Sequence, residues 1–161
     1  MDHPRDQSAH DARLEAGATA PAGDAASGTR ARWIRAALRV VLAVAMVAVG
    51  VAHFVAPDGF VRIVPAFLPA PLVLVYVSGL FEILGGAGLL IRPIRRAAAL
   101  GLIALFIAVF PANVNMAVNR IPLDGRTVLP DWALWLRLPL QALLVAWAYH
   151  LAREDRGDGR R

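Results

Sequence analysis

Glu82 stands at the middle of an apolar stretch, residues 72–90, LVLVYVSGLFEILGGAGLL. A carboxyl group in such a setting can titrate, pair with a cation or hold the polar end of a ligand. At the centre of a bilayer it costs roughly 2.5–3.5 kcal/mol on insertion scales, so it must face protein or water and not lipid. His53, Asn113, Arg137 and Gln141 interrupt or bound three other apolar runs. Counting about 1.5 Å per residue from the outer surface, His53 and Asn113 fall roughly 5 Å deep, Arg137 about 8 Å, Gln141 about 14 Å and Glu82 about 16 Å. The five residues come from four segments and share one half of the membrane. They are therefore the candidate polar pocket, opening outward. An Arg137 side chain reaching inward would pair with Glu82, directly or through Gln141, and lower the insertion cost of both. The same residues also admit a second reading, a polar core that ties helices together and holds no ligand.

Much chemistry is excluded by residue type and depth. There is no cysteine, so the chain itself offers no thiol nucleophile, disulfide exchange or iron–sulfur ligation. His53 and His150 fall near opposite surfaces and cannot share a haem. His53 with Glu82 is too few ligands for a catalytic metal, and no metal site is expected. Ser78, His53 and Glu82 contain the residue types of a hydrolytic triad, but no nucleophile elbow surrounds Ser78. The catalytic residues, if the chain has any, are not readable.

The elements that position these residues follow from composition. Of 161 residues 58% are hydrophobic, and the mean hydropathy is +0.54. That is too apolar for an ordinary soluble domain of this length, and the apolar residues gather in runs long enough to span a membrane. The expected fold is all-α, a four-helix transmembrane bundle over residues 33–151, with helices at about 36–56, 71–91, 97–116 and 132–151. Residues 71–91 would make a helix of about 32 Å, the thickness of a hydrocarbon core. Gly79 and Gly86 lie beside its Glu82 face, where small residues let a neighbouring helix approach closely. Pro57-Asp58-Gly59 is expected to break the first helix, and residues 60–68 to lie at the membrane interface. Pro111 should kink the third helix, and Asn115 and Asn119 should cap its end.

Residues 1–32 lack an apolar period and read as a disordered tail; residues 152–161 read as a charged tail. A cleavable signal around the first run competes with a span there, but the run exceeds a usual h-region. The net charge of +5 comes with arginines at the ends of apolar runs and without a basic stripe bearing aromatics. That pattern points to the bilayer as partner and away from nucleic acid. Arginine crowds before the first run, between the second and third, and after the fourth, which is expected to place both termini on the cytoplasmic side of the membrane.

Several separated motifs occur in order: Gly50-Val51-Ala52-His53-Phe54, Ile63-Val64-Pro65, Leu68-Pro69, Ser78-Gly79-Leu80-Phe81-Glu82-Ile83-Leu84-Gly85-Gly86, Phe110-Pro111-Ala112-Asn113-Val114 and Arg137-Leu138-Pro139-Leu140-Gln141. Together they resemble the DoxX-like family of small bacterial membrane proteins over about residues 36–150. The resemblance implies a four-helix membrane protein. It also implies a subunit or accessory of a redox system, with a quinone as candidate cofactor and a membrane or redox protein as candidate partner. Two further expectations stay open: a permeation element for a small solute or proton, and a purely structural or assembly partner.

Overall fold

The computed structural model describes residues 22–158. Five α-helices account for most of them: α1 (Ala22–Val55), α2 (Pro57–Ile63), α3 (Pro71–Leu90), α4 (Arg95–Asn119) and α5 (Asp131–Asp158). A single 3-10 turn, Arg92–Ile94, joins α3 to α4. There is no strand among the described residues. Three helical stretches are long and apolar enough to cross a membrane: Gly28–Val55, Pro71–Leu90 and Arg92–Asn119. The fourth long helix, α5, is not among them. Arg137, Pro139 and Gln141 lower the apolarity of its first half, and charged residues follow Ala152.

Large apolar side chains cover the outside of these helices. Val44 on α1, Val73 on α3, Ile107 on α4 and Leu143 on α5 are each about 60% exposed. Water would not tolerate so continuous an apolar surface, whereas hydrocarbon does. This is the surface of a membrane protein.

Several boundaries differ from those expected. Helix α1 starts at Ala22, well before the apolar run. Residues 22–32 are thus helical and not part of a disordered tail, because alanine and arginine are strong helix formers even without an apolar face. The rest of that expected tail, residues 1–21, and residues 159–161 lie outside the described residues. Residues 152–158 continue α5 as helix. The break after α1 falls at Ala56, and Pro57-Asp58-Gly59 forms the first turn of α2. Pro57 occupies a position where its missing N–H costs nothing. Helix α4 runs unbroken through Pro111 to Asn119. Asn115 and Asn119 are inside it and do not cap its end; Arg120, left-handed at φ 52°, ends the helix by giving its N–H to Met116 O.

In the compact unit that begins at Leu38, two clusters bracket the polar level. One gathers Leu42, Met46, Leu89, Leu102, Phe106 and Leu151 towards one end of the helices. The other joins Ile63, Met116, Ala117 and Leu134 towards the opposite end. Between α1 and α3 the backbones almost touch. A Cβ on Gly50 would lie 2.6 Å from Gly79 O, and one on Gly86 would lie 2.7 Å from Ala43 O. Residues 43 and 50 thus face 86 and 79, seven positions apart on each antiparallel helix. With glycine at three of these points and alanine at the fourth, the two helices pack backbone to backbone, as membrane helices do when van der Waals contact replaces the hydrophobic effect.

Candidate functional site

The level between the two clusters is hollow. A cavity of about 450 Å³ lies there. Its walls come from the end of α1, from α2 and the segment after it, from the first half of α3, the second half of α4 and the first half of α5. Most of the lining is apolar: Val49, Phe60, Leu74, Leu105 and Val109 are typical. Five polar side chains interrupt it, namely His53, Ser78, Glu82, Asn113 and Arg137.

His53 and Glu82 form the innermost polar pair. They are 6% and 7% exposed. His53 Nδ1 lies 2.9 Å from Val49 O, one helical turn back. A carbonyl only accepts, so this nitrogen carries a proton and donates it there. Glu82 Oε2 lies 3.2 Å from the same nitrogen. The hydrogen does not point at it, and Oε2 has no hydrogen-bond partner in the chain. The contact is electrostatic closeness without a directed bond. Phe60 of α2 stacks on the imidazole at 3.8 Å between ring centres and 22° between planes. Gly79 sits against the other side, where any Cβ would lie 2.6 Å from His53 Cβ. The ring is thus held by its own helix, a stacked phenyl and a bare stretch of α3.

Asn113 and Gln141 form a second polar pair. Asn113 Nδ2 donates to Gln141 Oε1 at 2.9 Å, and Gln141 Nε2 donates to Phe106 O. Phe106 lies beside Ile107, whose carbonyl loses its helical donor because Pro111 has no N–H. The Gln141 amide goes to the neighbouring Phe106 O as a second donor beside this weak point of the ladder, not to the freed Ile107 carbonyl. Gln141 is 5% exposed and stands behind Asn113, not on the cavity wall. Arg137 does line the cavity. It makes no ion pair with Glu82 within 4 Å, so the expected Arg137–Glu82 contact is absent and His53 is the neighbour of the carboxyl group. The Ser78 hydroxyl donates to Val75 O at 2.9 Å and is spent within its own helix. Phe60 carried no sequence signal for its role, since its position depends on the helical turn at 57–63.

A polar roof covers the cavity at the end where α2 lies. Asn115 Nδ2 reaches from α4 to Ile63 O at 2.9 Å, tying α2 down. Gly125 is left-handed at φ 73°, and the Arg62 guanidinium fills the space where a Cβ would stand. Asp124 Oδ1 accepts from the N–H groups of Thr127 and Arg126 at 2.8 and 2.9 Å, which hold its carboxyl below the usual range. Arg120 pairs bidentately with Asp131, closing the loop between α4 and α5. That hydrogen-bonded guanidinium holds the Asp131 carboxyl below its ordinary value and raises its own. Both groups are exposed, so the pair shapes the loop more than it stabilises the fold.

Among the described residues no three His, Cys, Asp or Glu side chains gather where they could hold a metal ion. The site is an apolar chamber with a buried acid–imidazole pair at one wall, an amide at another and a guanidinium at its edge. Its size falls within the range of small-molecule sites. The Ser78 hydroxyl in its wall bonds to neither His53 nor Glu82. Residues 42–152 match the family model described as a domain of unknown function (DUF8561). No curated protein and no solved structure matches the chain.

Proposed function

We propose that this chain, which belongs to the DUF8561 family, is a multi-pass protein of the bacterial inner membrane that binds a small, largely apolar molecule with a polar head. The reading includes four spans, with α5 as the fourth, and both termini on the cytoplasmic side. The roof and the cavity then face outward. The single observation that carries the binding role is the cavity of about 450 Å³ with the buried His53–Glu82 pair at its wall. A merely structural polar core would be filled by its own side chains, because protein interiors pack densely and large voids are costly.

The resemblance to DoxX-like proteins supports a quinone-like head group and a place as subunit or accessory of a redox system. The chamber suits such a ligand in shape and polarity: apolar walls for a ring and its alkyl substituent, and polar groups for the ring oxygens. The His53–Glu82 pair favours one second reading, a site through which a proton or small solute passes.

Native mass spectrometry of the full chain, gently released from membranes, tests the proposal. A quinone-sized adduct that survives mild activation and disappears in Ala108→Phe, which fills the chamber, is the expected result. A chain that carries only phospholipid, with Ala108→Phe indistinguishable from it, would overturn the binding role.

A further inference from the structure

Among the described residues that line the chamber, Arg137 is the one guanidinium, and no lysine joins it. Arg137 is half-buried. It makes no hydrogen bond, and no ion pair within 4 Å, with any described residue. None of its side-chain nitrogens is closed off from a small probe, in contrast to Glu82 Oε2. A cation at membrane depth is costly, and such groups are almost always paired. The acids of this region are turned elsewhere. Glu82 lies against His53. Asp131 pairs with Arg120, and Asp124 takes the N–H groups of Arg126 and Thr127. An accessible guanidinium thus stands at the chamber wall without a counter-ion from the chain.

A neutral donor stands beside it. Gln141 follows Arg137 by one turn on the same face of α5. Asn113 Nδ2 is bonded to Gln141 Oε1 at 2.9 Å, which sets Asn113 about one helical turn from Arg137 along the wall. An amide nitrogen carries two hydrogens. One goes to Gln141, and the other is left for a ligand.

We propose that the polar head of the bound molecule is a carboxylate, gripped by the Arg137 fork with the second N–H of Asn113 beside it. The ligand is an amphiphilic acid, one carboxylate on a ring or short carbon chain. The inference rests on the reading that the chamber takes a small molecule, and it narrows the head to an acidic one. A planar carboxylate meets a guanidinium through two parallel N–H···O bonds and supplies the missing charge. A quinone carbonyl accepts from the same fork but brings no charge. A lone cation balances a single negative charge, so a phosphate dianion would remain half-compensated. Leu68, Leu105, Val109 and Leu123 give the carbon body an apolar wall.

The test uses the full chain in nanodiscs of zwitterionic phosphatidylcholine at neutral pH, where a benzoic acid is ionised. Four probes are titrated: a para-pentyl benzoate, its primary amide, a pentyl benzoquinone and a short-chain phosphatidylglycerol. Binding is followed by calorimetry, with empty nanodiscs subtracted. The benzoate is expected to bind about 10- to 100-fold more tightly than the amide and the quinone, the range for hydrogen bonds to a charged group, and more tightly than the phosphatidylglycerol. Arg137→Gln should cut the preference over the amide to about threefold or less. Arg137→Lys keeps the charge without the fork, so it should keep a preference smaller by about three- to tenfold.

Equal binding of benzoate, amide and quinone by the unmodified chain, or tighter binding of the quinone, would overturn the carboxylate and leave the chamber as a binding site. Tighter binding of phosphatidylglycerol would make the occupant a lipid phosphate and also overturn it. Saturable binding of no probe would overturn the inference together with the reading beneath it. An undiminished preference in Arg137→Gln would overturn the role of Arg137. Should that variant fail to accumulate, Arg137→Lys decides, and an unchanged preference there would overturn the fork.

Discussion

Adding one methyl group to Gly79 should be among the most damaging small changes in the chain. The new Cβ would stand 2.6 Å from His53 Cβ and 2.9 Å from Gly50 O. Ordinary contact needs about 3.5 Å or more between carbon atoms, so α1 and α3 must part by most of an ångström or His53 must leave its place. Neither neighbour gives easily: one is a backbone oxygen, the other the first carbon of a ring pinned by Phe60. Overpacking of this kind typically costs 1–3 kcal/mol. Against it stands the gain of about 0.8–1.0 kcal/mol from replacing glycine by alanine within a helix. Gly101→Ala isolates that gain, since nothing lies within 4 Å of its added Cβ. The propensity contribution is common to both variants, so their difference reports the clash alone and should reach about 1–3 kcal/mol. The assay is reversible unfolding in mixed micelles, followed by the fluorescence of the four tryptophans. If Gly79→Ala proves as stable as Gly101→Ala, α1 and α3 do not meet backbone to backbone at this point, and the placement of His53 against Glu82 loses its support.

A double-mutant cycle on Asn113→Ala and Gln141→Leu should give a coupling energy of about 0.5–2 kcal/mol, and Gln141→Leu alone should be the costlier change because it also strips Phe106 O of a donor. Purely additive effects in the same unfolding assay would contradict the bond between them. The Asp131 carboxyl is held below its ordinary value by Arg120, so its small stabilising contribution is present above the usual carboxylate range and fades as pH falls through the lowered value. Thermal midpoints of the unmodified chain and Asp131→Asn should therefore differ near neutral pH and converge in acid; a gap that widens in acid would reverse the sign. The chain has no cysteine, so single introduced cysteines report sidedness without background. Val128→Cys should react with an impermeant thiol reagent from outside intact cells, and Ala97→Cys only after permeabilisation. The opposite pattern would invert the topology.

The apolar runs made the long helices legible, because a membrane-length pattern needs no tertiary knowledge to be seen. Axial position can be counted along a helix because the rise per residue is fixed, and His53, Glu82, Asn113 and Arg137 line one cavity. Azimuth was not legible. Residue spacing says which face of its own helix Glu82 occupies, but not which neighbour that face meets. The neighbour is His53 and not Arg137, because the glycines of α3 bring α1 closer to it. Gln141 shows the same limit, sharing a depth with the chamber but turned towards the carbonyl ladder of α4. The small-residue approach at Gly79 and Gly86 could be read in sequence; its register against Gly50 and Ala43 could not. The helicity of residues 22–32 was missed because absence of apolar periodicity is evidence against packing, not against a helix.

The contact between α1 and α3 also decides which parts of the molecule are free to move. Two helices meshed at main-chain distance at Gly50, Gly79 and Gly86, with Met46, Val47 and Ile83 packed closely around the contact, have little room to slide or rotate and act as one stator. His53 and Glu82, one on each, therefore keep their spacing whether the chamber is full or empty. On the proposed binding role, the way in would lie on the other side, in α2, the proline-bearing segment 64–70 and the loop 120–130. That cover is latched by two side-chain hydrogen-bond contacts, Asn115 to Ile63 O and Arg120 to Asp131, and by the packing of Arg62 over Gly125. On the proposed binding role, the rate of filling would be set at the latch and the selectivity at the chamber wall, stator included, and substitutions in the two places should separate kinetics from preference.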